Sequence, residues 1–182
     1  GEFINRRKNK VKYLDSVVIS PVTDEHQQIT NFLIICEDIT LRKREEKLRE
    51  VIQLITHDGS TSKDLIDFTS KVKTRLGELI DLTNFYLALY NEATDMFTIP
   101  AYYDQCDDIE VFEAGKTITA YVLRSKKPLL ATRDEIVKLK KAGLIESLGI
   151  PAQAWLGVPL LVGGKPIGVL AVQSYDNPLL YN

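Results

Sequence analysis

Residues 154–175 read AWLGVPLLVGGKPIGVLAVQSY, and this stretch decides the fold. Ala154 to Val162 is apolar and of strand length. Gly163-Gly164 supplies the positive backbone angles of a tight two-residue turn, and Lys165 to Tyr175 returns with Ile167, Val169, Leu170, Ala171 and Val172. Two such runs around a Gly-Gly pair predict an antiparallel hairpin. A dinucleotide loop needs three spaced glycines leading into a helix, whereas a strand follows here, so Gly163-Gly164 is read as a turn and not as a phosphate cradle. Pro166 implies an edge strand or a ladder position whose amide is not needed. Asp176-Asn177-Pro178 is a further turn.

Upstream of this hairpin, Phe85 to Tyr90 is a strong strand, Asn91 to Asp95 turns the chain, and Met96 to Tyr103 returns. Thr117 is placed to cap a short helix with Ile118, Tyr121, Val122 and Leu123, stopped before Pro128. Thr132 is placed to cap another, with Ile136, Val137, Leu139 and Lys140, ended by Gly143. Thr61 and Asp64 stand at capping-box spacing before a helix whose one face carries Leu65, Phe68, Thr69, Val72, Leu76 and Leu79. Helix, two strands, short helices, two strands is the order of an α+β domain, an antiparallel sheet with helices packed on it.

The first forty residues read differently. Lys12 to Ile19, closed by Ser20-Pro21, and Ile29 to Cys36 are β-rich runs around a polar loop, and Gly1 to Arg7 suggests an earlier strand. So small a sheet needs a cover for its apolar face. From Leu41 a charged segment carries Leu41, Leu48, Val51, Ile52 and Ile55 near one helical stripe, and His57-Asp58-Gly59-Ser60 reads as its end. Two readings of the stripe stand side by side: a two-stranded coiled coil of about two heptads, or a solvated connecting helix.

Composition excludes several classes. The chain has 182 residues and a formal net charge of -2, which offers no basic field for nucleic acid or acidic lipid. Two cysteines and two histidines build neither a disulfide framework nor a typical zinc site, a pattern that fits a reducing cytosol. No apolar run reaches the roughly 18 residues that span a bilayer, and no signal peptide opens the chain; a parent protein anchored elsewhere remains compatible with this.

Two family resemblances follow from the residues. Gly1 to Asn9, Ser20-Pro21-Val22 and Glu37-Asp38-Ile39-Thr40 followed by Arg42-Lys43 resemble the last strands of a PAS domain. The resemblance implies that Asp38 and Thr40 tie the last strand to the outgoing helix. Lys10, where many members have Gly, and Leu41, where Glu is usual, depart from the pattern. From about Ser60 the chain resembles a GAF domain of bacterial sensor kinases and diguanylate cyclases. Gly115 to Arg124 with Lys127-Pro128-Leu129-Leu130, then Trp155 to Leu160, then Gly164 to Tyr175 are the matching blocks. The implied organisation is 1–40, the C-terminal strands of an incomplete PAS domain; 41–58, a connector helix; and 59–182, a GAF domain lacking its usual last helix.

The resemblance implies a non-catalytic, cytoplasmic input module: a homodimer through Leu41, Leu48, Val51, Ile52 and Ile55, with a small-molecule pocket and an output domain in the parent chain. A ligand-free structural dimeriser is the alternative, and it would fill the space between sheet and helices with side chains. Pocket candidates are Tyr86, Tyr102, Asp104, Phe112, Thr117, Tyr121, Trp155 and Gln173, of which the aromatic ones read equally as core. No bilin, haem or metal signature is present, the ligand is unknown, and the pattern of cyclic-nucleotide-binding GAF domains is missing. Cys106, followed by Asp107 and Asp108, reads as a free thiol, because acidic neighbours raise a thiol's pKa. Cys36 reads as core. The acidic run Asp104, Asp107, Asp108, Glu110 and Glu113 has no calcium-loop spacing and reads as a solvated loop. His57 lacks the context of a phosphoacceptor. A GAF-fold methionine sulfoxide reductase needs clustered cysteines, and Cys36 and Cys106 fall in different predicted domains.

Overall fold

The computed structural model describes residues 1–106 and 109–181, with the backbone alone at Ala101 and Tyr102. It divides into two compact units, Gly1–Gln53 and Leu54–Asn182.

The first unit is a three-stranded antiparallel sheet in the order β1-β2-β3, with β1 at Glu2–Arg6, β2 at Lys12–Thr23 and β3 at Ile29–Asp38. β2 runs on through Ser20-Pro21, where the sequence suggests a stop. β1 pairs only as far as Ser16, and Val17 donates its amide toward β1, so two residues per repeat later the missing amide of Pro21 faces an open edge. Cys36, expected in a core, is exposed, because β3 is uncovered on both faces within this unit.

The exit from β3 is closed by local chemistry. Asp38 Oδ1 accepts the Thr40 amide at 3.0 Å, Thr40 Oγ1 accepts the Leu14 amide at 2.8 Å, and Arg7 pairs with Asp38. Ile39 between them is buried and donates its amide to the Leu14 carbonyl. These contacts lock the last strand to the first turn of α1, Thr40–Thr61.

Helix α1 continues to Thr61, through the break expected at His57-Asp58-Gly59-Ser60. Ser60 and Thr61 donate their hydroxyls to the His57 carbonyl and Ser62 donates to that of Asp58, bonds to carbonyls near the helix end that let the helix run through Gly59. Asp58, nearly buried, is held by Arg75 Nε at 3.2 Å. The next cap moves accordingly. Asp64, not Thr61, caps α2 (Leu65–Leu76), accepting the Asp67 amide while Asp67 accepts that of Lys63. Along α1, Leu41, Leu48 and Ile52 are exposed, whereas Val51 is 1% exposed and therefore not open to a partner helix.

The second unit is built on a six-stranded antiparallel sheet in the order β6-β5-β4-β9-β8-β7. Its strands are β4 (Asn84–Asn91), β5 (Met96–Tyr103), β6 (Val111–Glu113), β7 (Leu129–Thr132), β8 (Ala154–Val162) and β9 (Lys165–Ser174), and its short helices are α3 (Ile118–Ser125) and α4 (Arg133–Lys141). The hairpin at Gly163-Gly164 has φ of 58° and 79°. β9 is central, and Pro166 lies beyond Gly168, the last residue that β4 pairs, beside a register shift at Leu160/Leu161. β6 and β7 are outer strands that the sequence reading does not contain.

Alternation along the central strands sorts the side chains into two layers. Phe85, Leu156, Leu170 and Val172 point to one face with Leu76, Ile80, Leu82 and Tyr181. Tyr86, Ala88, Trp155, Val169 and Ala171 point to the other, where Val122, Leu123, Ile136 and Phe112 cover them. β4 and β9 approach so closely at one point that a Cβ on Gly168 would lie 2.4 Å from the Ala88 carbonyl oxygen.

Two outcomes follow from this packing. Gly168→Ala should destabilise the second unit by about 1–3 kcal/mol in urea titration, as overpacking does. At the β3 exit, the hydrogen bonds from Thr40 hold the Asp38 carboxyl below the usual value for an aspartate. A lowered pKa stabilises the bonded exit above that value and loses the effect as pH falls through the folded pKa. In an NMR pH titration the Thr40 amide should therefore shift with a midpoint below that of an unperturbed aspartate; a midpoint at or above it contradicts the bonding described.

Candidate functional site

The face of the sheet that carries Trp155 encloses a cavity, and small residues create the room for it. Trp155 is the only tryptophan of the chain and is 2% exposed. Its ring lies along the strand over Gly157, where a Cβ would sit 2.1 Å from the ring. Gly157 and Ala171 are paired neighbours, and Ala171 also pairs Tyr86, so these three residues cross β8, β9 and β4 in one row. Trp155 Nε1 donates to Tyr86 Oη at 3.1 Å, and Tyr86 Oη shares a hydrogen with Thr119 Oγ1 at 2.9 Å. Thr119 is buried on α3, so a chain of hydrogen bonds ties β8 through β4 to that helix.

A second polar group stands on the adjacent row. Gln173, paired with Trp155 on one side and Asn84 on the other, donates Nε2 to Asp104 Oδ2 at 2.7 Å and to Tyr175 Oη at 2.6 Å. Asp104 Oδ1 accepts from Tyr175 Oη at 2.8 Å and from the Cys106 amide at 2.9 Å. The Gln173 carbonyl accepts from Asn84 Nδ2 and from Tyr181 Oη at 3.1 Å. Burial, aided by Asp81, pushes the Tyr181 hydroxyl up to about 12, so it is a neutral donor at physiological pH.

The roof is the connection between α4 and β8. Ile145 to Ala152 lines the cavity together with Ile99, Ile109, Ile118 and Ile136. The Glu146 amide donates to the Lys116 carbonyl at 2.7 Å, and the two side chains pair at 3.5 Å. Lys140 Nζ donates to Ser147 Oγ at 2.6 Å. Gly143 and Gly149, at φ of 68° and 66°, bend the chain on either side of these contacts. The cavity, partly open to solvent, has a volume of about 100 Å³, several times the need of one water.

Of the expected pocket residues, Tyr86, Asp104, Phe112, Thr117, Trp155 and Gln173 line this cavity. Thr117 spends its hydroxyl on capping α3, accepting from the Ala120 amide and donating to the Ala114 carbonyl. Phe112 stacks on Phe97 at 5.1 Å. Tyr121 packs against the core and does not line the cavity. The side chain of Tyr102, like Asp107 and Asp108, lies outside the described residues. Sequence reasoning missed Thr119, Lys140 and the whole roof. The signal available was an apolar connection, Leu144-Ile145 and Leu148-Gly149-Ile150-Pro151, which a merely solvated loop has no need of. Among the described residues no group of three His, Cys, Asp or Glu is placed to hold a metal, and no helix is long and apolar enough to cross a membrane.

A mostly apolar cavity with a few convergent polar groups, set between an antiparallel sheet and its covering helices, has the general anatomy of small-molecule sites. Residues 64–181 match the GAF domain family, and the chain belongs to it. Among solved structures, the chain is similar to the GAF domain of an Acinetobacter phosphoenolpyruvate-protein phosphotransferase, at 16% identity and TM-score 0.57 over 77% of this chain and 81% of that one. It is also similar to free methionine-R-sulfoxide reductase from Neisseria meningitidis in complex with its substrate, at 13% identity and TM-score 0.58 over 75% and 77%. A methyl-accepting chemotaxis protein matches at 13% identity and TM-score 0.55 over 71% and 83%. At these identities the likeness concerns the fold. No curated protein matches the chain.

Tyr86→Phe removes the hydroxyl that receives Trp155 and meets Thr119. It should lower stability by about 1–3 kcal/mol, the cost of stranding buried donors, and should change the fluorescence of Trp155. Unchanged emission and stability would show that this chain of hydrogen bonds does not form.

Proposed function

We propose that the chain is a sensory input module of a bacterial signalling protein, in which a small molecule bound in the GAF cavity biases a dimeric helix. The observation that carries the proposal is the cavity over Trp155 and Gln173: an apolar space with polar groups converging from β4, β8 and β9 and from Asp104 just after β5. A purely structural dimeriser has no need of this space, which is why the ligand-binding reading is favoured. The similarity to a chemotaxis protein supports the regulatory assignment.

Residues 1–40 are assigned as the last strands of a PAS domain. Support comes from the exit of β3, where Asp38 and Thr40 make the contacts expected of a strand-to-helix tie. The dimer is assigned to α1 as a parallel pair, through the exposed Leu41, Leu48 and Ile52 and the half-buried Ile55 of the stripe, with Leu41 and Leu48 one heptad apart. A histidine kinase or diguanylate cyclase in a cytoplasmic parent chain is the output assigned by family resemblance. Ligand occupancy acts only through unequal affinity for two helix arrangements. Cys36 and Cys106 belong to different compact units, which supports a non-catalytic module over a cysteine-dependent reductase.

Native mass spectrometry of the purified chain should show a small bound mass that disappears on denaturation. Light scattering after size exclusion should give a dimer that Leu48→Glu converts to monomer. A bare mass even after incubation with cell extract counts against sensing, and a monomeric wild-type chain at high concentration counts against the helix assignment.

A further inference from the structure

We propose that residues 147–151 form a flap over the cavity, opening between fixed posts at Glu146 and Gln153, and that a ligand reaches Trp155 beneath it. The flap presupposes the ligand-binding reading above and gives that site its entrance.

The lining of the cavity has rigid parts and a loop-borne part. Strands supply Tyr86, Phe112, Trp155 and Gln173, and helices α3 and α4 supply Thr119 and Ile136. The stretch from Ile145 to Ala152 lines the cavity as well and has neither helix nor strand. Both of its ends are held by backbone. The Glu146 amide donates to the Lys116 carbonyl at 2.7 Å. The Gln153 amide donates to the Ser174 carbonyl at 2.7 Å, and the Gln153 carbonyl accepts the Arg133 amide at 2.8 Å. Ile145 and Ala152, beside these posts, are buried, so packing fixes the same ends.

Between the posts the packing is different. Leu148 and Ile150 line the cavity and are still 46% and 48% exposed. Ser147 receives Lys140 at 2.6 Å on an exposed surface, where water competes for both groups. A segment with this little packed apolar surface belongs to the part of a structure that opens at low free energy, whereas its posts share the stability of the sheet. Gly149, at φ of 66°, turns the closed flap through the left-handed region, which an L side chain resists. An apolar molecule in the cavity meets Leu148 and Ile150 from beneath and removes more of their surface from water, so it favours the closed flap. Asp104 and Ile109, on the connection from β5 to β6, also line the cavity, and an entrance on that side is the competing outcome of the test.

The test needs no ligand, because Trp155 is the only tryptophan of the chain and is buried at the cavity. In amide hydrogen exchange followed by NMR, Ser147, Leu148 and Gly149 should exchange at least about tenfold faster than Glu146 and Gln153. Gly149→Ala strains the closed flap. It should raise exchange in the flap and acrylamide quenching of Trp155 by about fivefold each, and leave the two posts unchanged. Exchange of residues 147–149 as slow as that of the posts overturns the flap. Unchanged quenching in Gly149→Ala, whether or not exchange rises, overturns the entrance. Should Gly149→Ala fail to fold, Leu148→Ala strips cover from the flap and must raise quenching of Trp155 in its place. A flap that opens as described over a cavity in which native mass spectrometry finds no bound molecule supports the motion and removes the sensing reading alone.

Discussion

The structure of the second unit depends on how one indole ring is laid down. Trp155 runs flat along β8 because Gly157 has no Cβ to stop it, and it reaches Tyr86 because the intervening position on β9 is the small Ala171. The far end of that reach is Thr119 on α3. Sheet and helix are thereby joined by a Trp-Tyr-Thr hydrogen-bond chain as well as by the packing of Ala120, Val122 and Leu123 with Val169 and Ala171. Buried polar chains of this kind act over short range and tolerate little displacement. Beside the ring, where none of the described side chains takes up the room, the cavity remains.

β9 links the two layers. Ala171 and Gln173 face the cavity while Leu170 and Val172 face the opposite cluster, which includes Tyr181. Gln173 belongs to both: its side chain meets Asp104 at the cavity, and its carbonyl receives the hydroxyl of Tyr181. A change that repositions Gln173 is therefore felt at the turn following the last strand as well as inside the cavity. In the first unit, Asp38 and Thr40 play an analogous part, joining the last strand to α1 through backbone amides of two separate segments.

Much of this was legible in the amino-acid sequence, for reasons that differ by element. The β8–β9 hairpin could be read because period-two alternation runs over long strands on each side of Gly163-Gly164. The same alternation places Tyr86, Trp155 and Gln173 on one face. β6 and β7 could not be read, since three or four residues are too few to show a period. The end of α1 was misread at Gly59 because hydroxyls at Ser60, Thr61 and Ser62 bond carbonyls near the helix end and Arg75 holds Asp58, neither of which local propensity reveals. Cys36 was misread because an apolar strand implies a cover that this unit does not provide. The roof from Ile145 to Ala152 has no periodicity at all; its role is visible only once α4 and β8 bring it over Trp155.

A ligand site in the second unit requires a cavity beside Trp155, bounded by Tyr86, Gln173 and the roof. A crystal structure determined under xenon pressure tests it most directly, because apolar cavities of sufficient size take up the gas. Xenon density, or a molecule retained from purification, between Trp155 and Ile136 is the result predicted. Continuous side-chain density from the 145–152 segment packed onto the Trp155 ring, with no gas bound, would contradict it.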